Sequence, residues 1–208
     1  MKRVYMYSFH ERAWHWMQAF VILVLLYTGL EIHLPNRLFM CFNLASRIHV
    51  AFGFIFVINA GLGLLYHIFT NQLRQFIPEP RDFVSASIRQ AVFYLGGMFR
   101  GDPHPFEKSP DRKLNPLQKL TYLAILNVLL PFQLVTGFLL VSAHFHPPIV
   151  EYAGGLEWLA TLHALAAWLF GAFVIMHVYL TTTGHTPLSS ITAMITGWEE
   201  VDDDHRKN

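Results

Sequence analysis

Apolar residues fall along this chain in four long blocks, each divided from the next by a polar or charged break. A helix needs about 20 mostly apolar residues to cross a bilayer. Blocks of that length run from about Ala13 to Ile32, Ile48 to Phe69, Leu117 to Ala143 and Leu156 to Leu180, and we read them as four membrane spans. Pro131 lies inside the third and predicts a kink there. The stretch from Phe83 to Phe99 is patterned differently. Its apolar residues recur at helical spacing, yet Arg89 and Gln90 sit at its centre. That predicts an amphipathic helix lying on the membrane surface between spans two and three. The expected fold class is all-α: an integral-membrane four-helix bundle, a single domain over residues 1–208, with a connector at 70–116 and a tail at 182–208.

Charge sets the orientation. The connector carries Arg74, Arg81, Arg89, Arg100, Lys108, Arg112 and Lys113, and the N-terminus carries Lys2, Arg3 and Arg12. The loop between spans one and two has only Arg37 and Arg47, and the loop between three and four has no Lys or Arg. By the positive-inside rule both termini and the connector are cytoplasmic. His10, Glu11, Arg12 and His15 interrupt any signal-peptide pattern, so the first block is expected to stay in place. The acidic run Glu199–Asp204 is expected to be a solvated terminus.

Composition removes several functional classes. Only 14% of residues are charged, against roughly 25% in an average soluble domain. A formal net charge of +1 offers no footprint for nucleic acid. The single Cys41 excludes an internal disulfide, and the lack of C-x-x-C-H excludes covalently attached c-type haem. What stands out is histidine, 12 residues against 14 Asp plus Glu.

Depth sorts those histidines. His15 lies near the cytoplasmic start of span one and His49 near the outer start of span two. Span four holds His163 toward its outer end and His177 toward its inner end. These two are 14 residues apart, which is four turns less about 40°, so they share a face about 21 Å apart along the axis. His15 with His177, and His49 with His163, make two depth-matched pairs suited to two bis-histidine b-type haems inside a bundle. Gly29, Gly53, Gly137 and Gly171 would let a flat macrocycle approach the backbone. The plainer role for an intramembrane His is a helix–helix hydrogen bond. A bare metal ion would want carboxylate or thiolate ligands as well, and the spans offer little beyond Glu31. His67 follows His49 by five whole turns. It is a rival to His15 as inner ligand, or a neighbour of that haem near a quinone. His10, His33, His104, His144, His146, His185 and His205 fall in loops or at boundaries, where solvated roles are the default.

Several short motifs carry a resemblance. These are Arg12-Ala-Trp-His-Trp, Thr28-Gly29, the two His of span four, and the stretch Asn115-Pro-Leu-Gln-Lys-Leu-Thr-Tyr-Leu-Ala. Leu129-Leu-Pro, Thr136-Gly137 and Met194-Ile-Thr-Gly-Trp complete the set. Together they resemble the di-haem cytochrome b subunits of prokaryotic respiratory oxidoreductases, most of all the thiosulfate reductase cytochrome b group. Formate dehydrogenase gamma subunits and nickel–iron hydrogenase b-type cytochromes are more distant. The resemblance implies two non-covalent haems b in a prokaryotic cytoplasmic membrane, on His15 with His177 (inner) and His49 with His163 (outer). It implies electron transfer between menaquinone or ubiquinone and an extracytoplasmic iron–sulfur or molybdopterin subunit, or a multihaem cytochrome c. It also places Asn115 and Gln118 beside the inner haem as quinone contacts, against the alternative of helix capping by Asn115 and interfacial solvation of Gln118. Arg12 and Arg47 each lie just before an expected ligand, where each serves a haem propionate or lipid phosphate. The competing functions are a haem-bearing anchor or assembly protein without quinone turnover, and a transporter with a histidine proton relay. The lack of an obvious repeat pair weighs against the transporter. The partner's identity and the direction of electron flow are not encoded in this chain.

Overall fold

The computed structural model describes residues 2–34, 39–78, 83–106, 108–110, 112–184 and 186–201. Arg37 and Arg81 of the charge argument, His185, His205 and Asp202–Asp204 lie outside the described residues. In chain order the elements are β1 (Lys2–Tyr5), α1 (Phe9–His33), α2 (Phe42–Phe69), a 3-10 turn (Gln72–Phe76) and α3 (Phe83–Val92). They continue with α4 (Pro116–Ser142), α5 (Pro147–Tyr152), α6 (Leu156–Thr181), α7 (Ser189–Thr196) and β2 (Trp198–Val201).

The four expected spans are present as α1, α2, α4 and α6, of 25, 28, 27 and 26 residues. At about 1.5 Å per residue each exceeds the hydrocarbon thickness of about 30 Å. Two begin ahead of their apolar block, and for α1 the cause is local. Ser8 and Glu11 form a reciprocal cap, with the Ser8 N–H donating to Glu11 Oε2 at 2.8 Å and the Glu11 N–H to Ser8 Oγ at 3.3 Å. This S-x-x-E box starts the helix at Phe9 although its first turn is polar. In α4 the disturbance expected at Pro131 is a widened π turn at Ile125–Leu129, directly before the proline. Proline lacks the N–H and crowds the carbonyl of the preceding turn, and the wider turn accommodates both.

The chain forms two compact units. One comprises residues 14–66 and 126–176, and the other residues 1–13, 67–125 and 177–208. The first holds most of all four long helices. Many of its buried positions are small or polar, among them Thr28, Ala45, Gly63, Thr136 and Ala166, beside Val21, Phe56 and Leu159, while Phe20, Leu23, Ile58, Leu62, Leu165, Trp168 and Leu169 are exposed. Membrane helices pack this way, through small residues that let backbones approach while the bulky ones face lipid. Gly63 is such a contact: a Cβ there would sit 2.4 Å from the Trp14 indole. That indole donates from Nε1 to the Asn59 carbonyl at 2.9 Å. One turn further along α1, Gln18 Oε1 accepts from Asn59 Nδ2 at 2.5 Å.

In the second unit α3 is amphipathic in the sense expected for a surface helix. Val84, Ile88, Val92, Leu95 and Phe99 form an exposed apolar stripe, and Ser87, Gln90 and Gly97 face inward. The helix continues through a π turn, Phe93–Gly97, to Arg100. The chain ends depart from the all-helical expectation, because β1 and β2 pair antiparallel with Lys2 opposite Val201. Gly197 makes the turn into β2 at φ 88°, and its carbonyl accepts from the N–H groups of Met6 and Tyr7. Glu199 corrects the expectation of a solvated acidic run. Its side chain is buried and pairs with Lys108 at 3.1 Å, at the position of β2 opposite Val4. Lys113 pairs with Glu11 at 2.5 Å in the same unit.

Candidate functional site

His49 on α2 and His163 on α6 belong to one compact unit, and their ring centres are 6.2 Å apart at an interplanar angle of 78°. Each ring is held by a threonine one helix away. Thr28 Oγ1 on α1 lies 2.9 Å from His49 Nδ1. Thr136 Oγ1 on α4 lies 3.0 Å from His163 Nδ1.

The direction of these bonds follows from counting protons. A threonine hydroxyl has one. Thr28 lies 2.7 Å from the Val24 carbonyl and Thr136 lies 2.9 Å from the Phe132 carbonyl, each four residues earlier in its own helix. With its proton given there, each Oγ1 is an acceptor, so each imidazole must donate from Nδ1. The carbonyls of Leu25 and Gln133, each three residues before its threonine, also face these rings and can only accept. Both histidines are thereby fixed as Nδ1–H tautomers with the lone pair on Nε2. At His163 that lone pair accepts from Gln133 Nε2 at 3.1 Å. The other amide atom of Gln133, Oε1, is buried with no hydrogen-bond partner.

The glycines after the threonines complete the clamp. A Cβ on Gly29 would stand 3.5 Å from His49 Cε1, and one on Gly137 would stand 3.2 Å from His163 Cε1. Gly137 thus lets its imidazole approach closely, whereas the Gly29 contact is of ordinary van der Waals length. Gly53 and Gly171 have nothing within 4 Å of a Cβ position. Thr28 and Thr136 are the residues that reading the histidines alone passed over. The signal was present as the Thr-Gly pair occurring once in each of two spans.

This arrangement passes the test for a metalloporphyrin held between two imidazoles. Metal–imidazole bonds of about 2 Å on opposite sides place two ring centres about 6 Å apart, and the observed separation is 6.2 Å. Nδ1–H bonded to an oxygen acceptor, with the Nε2 lone pair turned to the metal, is the usual outer-shell pattern of ligating histidines; at His163 the Gln133 amide, 3.1 Å from Nε2, would have to give way to the metal. Among the described residues, no three of His, Cys, Asp and Glu gather as a metal-binding group. Glu31 is fully buried and accepts from the Tyr27 hydroxyl at 2.8 Å and the Phe39 N–H at 2.9 Å, so it ties Phe39 to the end of α1.

The remaining expected residues are placed as follows. His15 and His177 fall in different compact units. His15 lies edge-on to Trp16 at 5.3 Å in α1, and His177 is half-buried near the end of α6. His67 packs edge-on to Phe76 at 5.4 Å. Arg12 donates from Nη1 to the Ile195 carbonyl, with its guanidinium over the Phe9 ring, and Arg47 is exposed on α2. Asn115 and Gln118 form a full capping box at the start of α4. Asn115 Oδ1 accepts from the Gln118 N–H at 2.8 Å, and Gln118 Oε1 accepts from the Asn115 N–H at 3.0 Å. Asn115 Nδ2 is bonded to the Tyr94 hydroxyl at 3.0 Å. His104, expected to be a solvated bystander, is exposed and lies edge-on to Phe93 at 4.7 Å.

The family model for prokaryotic cytochrome b561 matches residues 6–197. The chain is 30% identical over 200 residues to a protein named as a cytochrome, YdhU, of Escherichia coli (strain K12), covering 95% of this chain and 75% of that one. It is 27% identical to a protein of Azotobacter vinelandii named as a Ni/Fe-hydrogenase B-type cytochrome subunit, over 97% of this chain and 90% of that one. A protein of the same name from Rhizobium leguminosarum bv. viciae is 26% identical, over 93% and 87%. The chain belongs to the prokaryotic cytochrome b561 family and is a multi-pass membrane haem b electron-transfer protein.

Proposed function

We propose that this member of the family is a di-haem subunit that carries electrons between the quinone pool and an extracytoplasmic oxidoreductase. His49 and His163 hold the outer haem, and His15 and His177 the inner one. The observation that carries the reading is the twin threonine–histidine clamp, with its ring separation of 6.2 Å and both Nε2 lone pairs defined. Haem iron, when bound, supplies the one-electron couple. The chain's own work is to fix the imidazole tautomers, exclude water with an apolar wall and set the distance between sites. His163 and His177, on one face of α6, supply one ligand to each site.

Both termini and the connector are cytoplasmic in this reading, in a prokaryotic cytoplasmic membrane, which puts the clamp near the outer surface where a partner docks. The hydrogenase-subunit names of two relatives support a partner that is itself a redox enzyme. Arg12 and Arg47 are the propionate candidates. His67 stands at the cytoplasmic end of α2, near the quinone in this scheme.

The test is a reduced-minus-oxidised spectrum of the purified protein, taken first with dithionite and then with menadiol. The expected result is b-type absorbance with both reductants. Absorbance with dithionite alone would leave a haem-bearing anchor, and no b-type absorbance would overturn the reading.

A further inference from the structure

Helix α3 lays its apolar stripe outward and turns Ser87 and Gln90 inward, and just beyond it Tyr94 meets Asn115 at the start of α4. Gln90 is the most deeply placed of these, at 1% exposure, yet neither its Oε1 nor its Nε2 has a hydrogen-bond partner. Its amide lies beside the Tyr94 hydroxyl without closing a bond of standard geometry. A buried amide with neither donor nor acceptor satisfied is destabilising, so such a group marks a place where something else supplies the bonds.

The neighbouring groups are already committed. Asn115 gives its Oδ1 to the helix cap and its Nδ2 to the Tyr94 oxygen at 3.0 Å. Because that oxygen is accepting from Asn115, the phenol proton is directed elsewhere. Burial pushes the Tyr94 phenol up from its ordinary value, so it stays protonated as a donor. The cluster therefore gathers a phenol hydroxyl and a primary amide, both neutral, whose only mutual contact falls short of a hydrogen bond of standard geometry. A charged ligand finds no counter-charge among them. A flat neutral ring with carbonyl or hydroxyl oxygens matches them.

Position agrees with that chemistry. Tyr94 sits in the π turn Phe93–Gly97, a distortion that recurs at functional sites. On the opposite face of the same helix the exposed stripe Val84, Ile88, Val92, Leu95 and Phe99 is apolar, as on a helix lying at the membrane surface. Exposed His104 flanks Tyr94, with ring centres 6.3 Å apart.

We infer that Gln90 and Tyr94 are the hydrogen-bonding contacts for the quinone head group, and that Asn115 is a positioning residue that aims the Tyr94 hydroxyl. This rests on the quinone-linked reading above and replaces Asn115 and Gln118 as direct contacts with two residues of α3.

The test compares the detergent-solubilised holoprotein with Gln90→Leu and Tyr94→Phe. Decylubiquinone and menadione binding are measured by calorimetry, with thermal unfolding and dithionite-reducible haem alongside. The expected result is unchanged haem content and at least a tenfold rise in Kd for the tighter-binding quinone in each variant. Gln90→Leu should melt at or above the wild-type temperature, because it removes a buried amide that the protein leaves unsatisfied. A purely structural Gln90 predicts a lower melting temperature with unchanged binding, and that result would overturn the inference while leaving the quinone reading intact. If the wild type binds neither quinone and menadiol reduces no haem, the quinone-linked reading fails and the site falls with it.

Discussion

The outer histidine clamp and the connector cluster around Asn115 are both polar islands in an apolar chain, and they are built differently. In the clamp each threonine gives its proton to its own helix and its oxygen to the facing imidazole, twice over with the same offsets. What is left at each ring is the Nε2 lone pair, which at His163 meets Gln133 Nε2. The other amide atom of Gln133, Oε1, has no partner. The connector cluster is built the other way, with a capping box that satisfies itself and a buried glutamine that does not. A resident cofactor asks for rigid, pre-set ligands, whereas an exchangeable ligand asks for groups that can be satisfied and released. The contrast matches that division.

The contrast can be attacked at its inner end first. His177→Ala should abolish the inner haem and leave the outer clamp untouched, since Thr28, Thr136, His49 and His163 make no use of it. The expected outcome is the loss of one b-type component in a redox titration, with the midpoint of the other unchanged. Loss of both components would show that the two sites are not separable.

A smaller effect is expected from the threonines. Replacing Thr28 or Thr136 with Val keeps the shape and removes the acceptor for Nδ1–H. Outer-shell partners of ligating histidines are typically worth about 10- to 100-fold in affinity, so each variant should lose the outer haem about that much more readily to a scavenging apoprotein. Thr→Ser at either position should restore retention. Equal retention in Thr→Val would reduce the clamp to ordinary helix packing.

The smallest effect is steric. In Gly63→Ala the new Cβ would meet the Trp14 indole at 2.4 Å and force it from the Asn59 carbonyl. Overpacking of this kind costs about 1–3 kcal/mol, read as a lower melting temperature with the outer haem spectrum preserved.

Much of this was legible in the chain, because the signals were long. The four spans follow from block length alone, and the surface character of α3 follows from the period of its apolar residues. Helix α1 begins ahead of its apolar block because such blocks do not report caps, and the Ser8–Glu11 box lies in polar sequence. The depth of His49 and His163 paired them correctly as neighbours. Their threonines were missed because an inter-helix hydrogen bond leaves no periodicity, and Thr-Gly was read only as a motif. The β1–β2 ribbon was invisible for a related reason. Two four-residue strands, pairing Lys2 with Val201 across the whole chain, carry no local alternation strong enough to declare themselves. Gln90 was read as a polar interruption of a surface helix, and only its burial distinguishes it from a solvated residue.

The central claim is that His49 and His163 ligate one haem between them, separate from a second haem elsewhere in the chain. Haem b per polypeptide, measured by pyridine haemochrome on the wild type, His49→Ala and His163→Ala, tests it directly. The account predicts two haems in the wild type and one in each variant, with the two variants retaining the same residual spectrum and midpoint. Retention of both haems in either variant, or different residual haems in the two, would contradict it.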